Sequence, residues 1–273
     1  MKNITFVSFF IFSLVLLACD KNEEDNYNII FLHHSTGNNI WDGQQEMMAK
    51  LSKKLEQSTI KKTIKTHDEK YVIEEMFFPK AEPYGWNNYP FDYYNIWVKN
   101  AGYEPYMEEP TLEMLTEEYD MIIWKHCFPV SNIKADTTSG NIDSELKTIP
   151  NYKLQYAALK EKMNEFKDTK FLVWTGAAQV ESQITEEEAI RAKDFFSWVV
   201  NEWDLPDDNI YLWDFRKLET EGGLYLKPAH AQNINDSHPN AEFSEKAAQL
   251  FAARIIDVIE TDGRDTSIDG TSK

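Results

Sequence analysis

The chain has 273 residues, with 28 Lys and Arg against 46 Asp and Glu, a formal charge of −18, and 42% hydrophobic residues. That apolar content excludes an intrinsically disordered chain, and the acidic balance argues against a nucleic-acid partner, which calls for a basic face. Cys19 and Cys127 are the only cysteines, too few for a disulfide scaffold or a cysteine-rich zinc site, and the length suits one large domain, or two small ones at most.

Residues 1–18 carry one charge, Lys2, and an apolar run over 4–17 broken only by Thr5, Ser8 and Ser13. The run is shorter than the ~20 residues of a membrane span and reads as the core of a secretory signal. Leu16-Leu17-Ala18-Cys19 resembles the bacterial lipobox, which implies that Cys19 becomes the lipidated first residue of the mature protein. The alternative is an ordinary signal peptide beside a chance cysteine. Residues 19–27 are polar and predict a flexible tether. Their acidic run resembles the export signal of surface lipoproteins. Together these place the protein at the outer membrane or cell surface, or on the periplasmic face, held to the membrane through its N-terminal lipid.

Four short, almost continuous apolar runs follow, at 29–32, 121–124, 171–174 and 210–213. Such runs are what strands buried on both faces look like, and they predict a parallel sheet between two helix layers. A fifth run, 71–78, is interrupted by Glu74 and Glu75 and suits an edge strand. Met48, Leu51 and Leu55 suggest a weak first helix. Tyr152, Tyr156, Leu159, Met163 and Phe166 draw one helical stripe, and Ala189, Ala192, Phe196, Val199 and Trp203 draw a second. The second opens on a capping box, Thr185 with Glu188. A third, Ala247, Phe251, Ile255 and Val258, follows Pro239, a residue suited to a helix start. The alternation predicts a doubly wound α/β domain over 28–260, with 261–273 a frayed tail. Two stretches stand outside it: an aromatic insertion at 79–110 and a loop at 216–235 containing Gly222-Gly223. Long structured insertions tend to carry function.

In an open parallel sheet the ligand crevice lies beyond the carboxyl ends of the strands. The residues there are His33-His34-Ser35-Thr36-Gly37, then Lys125-His126-Cys127, Thr175-Gly176 and Asp214. A last loop ends in Asn235-Asp236-Ser237-His238-Pro239-Asn240. This assembles a hydroxyl, imidazoles, a lysine and carboxylates at one edge, as a serine hydrolase needs.

A serine directly after the first strand, with His238-Pro239-Asn240 before the last helix, resembles the SGNH/GDSL hydrolases over roughly 28–260. The resemblance implies a three-layer, flavodoxin-like fold on a five-stranded parallel sheet and no metal or other cofactor. It also implies hydrolysis of a small-molecule or glycan ester by Ser35 and His238. Three departures mark this chain. His33-His34-Ser35 replaces Gly-Asp-Ser. The family's acid position, three before the histidine, is Asn235, so the acid is Asp236, Asp214 or absent. The oxyanion block reads Lys125-His126-Cys127-Phe128, so Gly37, Gly85, Lys125 and Asn132 become the candidates for oxyanion or substrate contacts.

Each signal has a plainer reading. Ser35 suits a helix N-cap. His33 and His34 could bind zinc, but neighbouring strand residues point to opposite faces, which favours structural hydrogen bonds. Lys125 could pair with Asp236 or Asp214, and Cys127 suits a small buried residue. The insertion's rings could build a subcore or stack on sugars. A catalytically inactive glycan-binding lipoprotein on the same fold is therefore the alternative to the esterase, and an acyltransferase is a third reading.

Overall fold

The computed structural model describes residues 26–43, 58–136 and 139–265. Five strands form its sheet: β1 (Tyr27–His33), β2 (Tyr71–Phe77), β3 (Met121–Trp124), β4 (Lys170–Trp174) and β5 (Ile210–Trp213). Their order is β2-β1-β3-β4-β5, and every neighbouring pair is parallel. Leu32 lies level with Trp124, Trp124 with Val173, and Trp174 with Trp213, so the carboxyl ends of β1, β3, β4 and β5 form one rim.

The helices are α1 (Thr36–Asp42), α2 (Thr59–His67), α3 (Pro90–Tyr94), α4 (Leu112–Glu118), α5 (Ile149–Met163), α6 (Glu186–Trp198), α7 (Phe215–Thr220) and α8 (Ala241–Thr261). Alternation along the strands divides them into two layers. Ile30, Leu32, Ile122, Trp124, Val173 and Leu212 point into a core shared with residues of α3, α4, α5 and α6. Ile29, Phe31, Met121, Ile123, Leu172 and Trp213 point into a second core, with α1, α2, α7 and α8. Both faces of the central strands are covered, which is why those strands read as unbroken apolar runs. The fold is α/β, three-layered and flavodoxin-like. β2 lies at one edge, where Glu74 and Glu75 are exposed.

The capping box of α6 is formed: Thr185 accepts from the Glu188 amide, and Glu188 reaches back to the Thr185 amide. The apolar stripe of α6 runs on through a π-helical turn, Val199–Trp203. Phe166 falls outside α5, which ends at Met163.

The structure refines the sequence expectations at four further places. Tyr27 belongs to β1, paired with Tyr71, so the domain begins before residue 28. Pro239 does not open α8. It ends a strand, β7 (Asp236–Pro239), and Asn240 caps the helix by accepting from the Phe243 amide at 2.9 Å. The 216–235 stretch is not a plain loop, since it holds most of α7 and β6 (Ala231–Asn233), which pairs antiparallel with β7. The insertion at 79–110 mostly joins the main core: Tyr89, Phe91, Tyr93, Tyr94 and Trp97 are buried there. The signal segment, Cys19 and the weak helix at Met48, Leu51 and Leu55 lie outside the described residues. Among the described residues no helix is long and apolar enough to cross a membrane.

Candidate active site

β1 ends at His33, and the chain turns sharply through His34 and Ser35 into α1. Ser35 has φ 46° and ψ −103°, a left-handed backbone that a non-glycine residue adopts at a cost. Ser35 stands at the N-cap position, yet its side chain caps nothing. Its hydroxyl is hydrogen-bonded instead to Nε2 of His238, 203 residues along the chain.

The histidine is presented by the β6–β7 hairpin. Residues two apart on a strand share a face, so Asp236 and His238 project together while Ser237 and Pro239 are buried. His238 Nδ1 lies 2.6 Å from Asp236 Oδ1, and the same oxygen accepts the His238 amide at 3.0 Å. With Nδ1–H donating to Asp236, Nε2 is left to accept the Ser35 hydroxyl. The His238 amide, and then its ring, hold the Asp236 carboxyl below its ordinary value, so it stays an anion facing the imidazole. Strand geometry thus lets a carboxylate two residues before the histidine reach its ring.

One further contact packs on the ring, and two residues fix the hairpin that carries it. The Phe128 ring meets His238 edge-on, with centroids 5.2 Å apart. Ser237 Oγ accepts the Val180 amide at 3.0 Å, tying β7 to the loop after β4. Asn240 Nδ2 donates to the carbonyls of Ala229 and Ala231, tying β6 to the start of α8.

Asp214 does not join this relay. Its Oδ1 accepts from the Thr175 hydroxyl at 2.6 Å and from the Lys217 amide at 3.3 Å, as the cap of α7. Lys125, 2% exposed, pairs with neither Asp236 nor Asp214 among the described residues. Its ammonium donates to the His34 carbonyl at 3.4 Å and sits 3.4 Å from Cys127 Sγ, just beneath the peptide that carries Ser35. Cys127 is buried.

His33 and His34 take structural partners. His33 Nε2 meets Glu75 Oε2 on β2 at 2.9 Å, and His34 Nε2 meets the Pro79 carbonyl at 2.5 Å. Burial pushes both imidazoles below their ordinary range, so both favour the neutral form.

No hydrogen bond links Gly37, Gly85 or Asn132 to Ser35, His238 or Asp236 among the described residues. The Gly37 amide already donates to the His34 carbonyl at 2.8 Å. Gly85 has its amide on the Ala81 carbonyl, in an exposed turn. Asn132 ends the short 3₁₀ helix Phe128–Ser131, half-buried.

Gly37 has a packing reason instead: a Cβ there would stand 2.5 Å from Cβ and 2.7 Å from Cγ of His33. Gly37→Ala is therefore expected to push α1 off β1 and destabilise the fold by about 1–3 kcal/mol. Denaturant midpoints of the two proteins check this, and an unchanged midpoint contradicts the close approach.

Phe128, Ser237 and Glu219 were not legible in the sequence as parts of this site. Glu219 on α7 is fully enclosed, and its Oε1 accepts the Ala178 amide at 2.6 Å in the same loop that holds Ser237. Gly176, at φ 102°, gives it room, since a Cβ there would lie 2.6 Å from that oxygen. Only the alternation Asp236-Ser237-His238 carried a readable signal, once the segment is taken as a strand.

Trp97 is completely buried, with its indole N–H on the Pro110 carbonyl at 3.1 Å, so it offers no face to a sugar. Trp86 is half-buried against Tyr106. Tyr84 and Tyr103 are the exposed rings of the insertion.

No family model matches the chain, and no curated protein matches it. Among solved structures it is similar to the C-terminal catalytic domain of peptidoglycan O-acetyltransferase A from Streptococcus pneumoniae, determined with a methylsulfonyl adduct. That similarity is 11% in sequence identity, covers 91% of this chain and 99% of the other, and has a TM-score of 0.41.

Proposed function

We propose that this protein is a serine hydrolase of the SGNH type that cleaves an ester, with an acylated carbohydrate as the substrate class, and that it works anchored through a lipid on Cys19. The observation that carries the reading is the continuous relay from the Ser35 hydroxyl through His238 to Asp236.

In this mechanism His238 Nε2 takes the Ser35 proton as the oxygen attacks the ester carbonyl carbon. The tetrahedral intermediate collapses as the C–O bond to the alcohol breaks. The imidazolium returns the proton to the departing oxygen, leaving an acyl-serine. Water, deprotonated by the same imidazole, then attacks the acyl carbon and releases the acid and free Ser35. Asp236 faces the imidazolium that forms in each half and keeps the ring in the tautomer that can accept. In this reading the buried Lys125 ammonium, on the carbonyl of the His34–Ser35 peptide, adds positive charge to the site as the oxyanion develops. The exposed Tyr84 and Tyr103 rings suit contact with a sugar face.

The test is a fluorophosphonate probe followed by peptide mapping. Labelling of Ser35, with turnover of a short acyl ester by the unlabelled protein, is the expected result. No adduct at Ser35 and no turnover would sink the hydrolase reading.

A further inference from the structure

Beside β5, where α6 of one layer approaches α7 of the other, lies a cavity of about 180 Å³. It is lined by Lys193, Ser197, Asn201, Asp214, Arg216 and Lys217, together with the Gly222-Gly223 turn. Three cationic side chains converge there, in a chain whose formal charge is −18.

Arg216 is the informative residue. It is 5% exposed, and its guanidinium carbon lies 6.0 Å from the Phe196 ring centroid. Its Nη2 donates to the Leu224 carbonyl at 2.9 Å. Nε and Nη1 make no hydrogen bond to any described residue, and no described carboxylate lies within ion-pair distance of the guanidinium. Neither nitrogen is among the sealed, unpartnered polar atoms of the interior, and Arg216 lines the cavity. A guanidinium withdrawn from bulk water with donors to spare calls for an anionic partner. The one carboxylate of the lining, Asp214, attracts the guanidinium from beyond ion-pair distance, and its Oδ1 takes the Thr175 hydroxyl and the Lys217 amide. Lys193 holds the wall in place, its ammonium on the Gly222 carbonyl at 2.8 Å.

We propose that this cavity binds a small oxyanion group of a ligand, held by the unpartnered N–H groups of Arg216 with Lys193 and Lys217 around it. The site is separate from Ser35. β5 stands three strand positions from β1, roughly 14 Å at the usual spacing, so one group cannot fill both. The anion site stands on its own geometry. Only its connection to turnover, as a second foothold for an anionic glycan lying along the rim, rests on the hydrolase reading.

The experiment is isothermal titration calorimetry of the full chain and of Ser35→Ala, at ionic strength held constant with chloride. Inorganic phosphate is one probe and glucuronate the other. Saturable binding of at least one is expected, with equal affinity in the two proteins. The affinity should fall at least tenfold in Lys193→Gln/Lys217→Gln, whose changes are at the surface, and in Arg216→Gln where circular dichroism shows it folded. Glucuronate binding alone identifies the carboxylate of a sugar acid as the ligand group, and phosphate binding alone a phosphoryl group. No saturable heat with either probe, or affinity unchanged in the lysine double variant, overturns the proposal. Equal binding by Ser35→Ala alongside a chain that hydrolyses no ester would leave the anion site standing and the hydrolase reading fallen.

Discussion

Ser35→Ala is expected to lower kcat/KM for a short acyl ester by at least about 10⁴-fold, the scale on which removing a nucleophile from such a relay acts. Folding stability should hardly change. The two readouts separate the two roles that a serine can have at this turn. A serine that merely capped α1 would cost about 0.5–2 kcal/mol of stability on replacement and nothing specific in turnover. Here the side chain makes no capping bond, and its hydroxyl points to His238. Alanine must still adopt the φ of 46°, so the backbone cost is common to both proteins. Asp236→Asn is the companion measurement. An amide at that position can accept from the ring or donate to it, which permits the wrong tautomer, and a loss of about 10²–10⁴-fold is expected. Equal rates for wild type and Ser35→Ala, measured under kcat/KM conditions, would remove the nucleophile from the mechanism.

The sheet was legible because burial on both faces leaves no room for polar residues. The runs at 121–124 and 210–213 became β3 and β5 residue for residue. The edge was legible for the converse reason: β2 tolerates Glu74 and Glu75 because no strand covers its outer side. Ser35 and His238 could be placed on one rim because strand ends in a parallel sheet converge there, and the geometry brings them together.

The supporting residues were hidden because their roles depend on contacts far apart in the chain. Asp236 reads as one residue out of place until β7 is recognised as a strand, and that strand exists only through pairing with β6, a short segment with no apolar alternation. Gly37 was a candidate for oxyanion or substrate contact because a helix start there sets backbone N–H groups beside the hydroxyl. The structure spends that amide on His34 and uses the missing side chain to seat α1 on His33. The aromatic insertion stayed open between a subcore and a sugar platform because rings serve cores and glycans equally well, and composition does not say which side of the sheet they cover. Most of them pack beneath β3 and α5.

Glu219→Gln is expected to abolish the pH dependence that this carboxyl imposes on stability. Burial, the largest influence, raises the Glu219 pKa from 4.5 to about 8, against the Ala178 hydrogen bond and the attraction of Arg216 and Lys125, with Asp214 repelling. The folded protein thus keeps the proton after the unfolded chain has lost it. Below pH 4.5 both states are protonated and the group adds no pH dependence. Between pH 4.5 and about 8 the folded state binds more protons than the unfolded one, so wild-type stability falls as pH rises across that window and levels off above it. Since one pKa unit carries about 1.4 kcal/mol, the loss is on the order of several kcal/mol. Glutamine keeps the acceptor for the Ala178 amide and has no proton to lose. Urea unfolding of both proteins at pH 5 and pH 8.5 should show the variant gaining on wild type at the higher pH, whatever other groups titrate in common. Because Ala178 lies two residues before Val180, whose amide holds Ser237 beside His238, the alkaline fall in turnover should soften in the variant as well. A stability difference between the two proteins that is the same at both pH values would mean that Glu219 is already ionised in the folded state, stabilised there by the Ala178 amide and the longer-range attraction of Arg216 and Lys125.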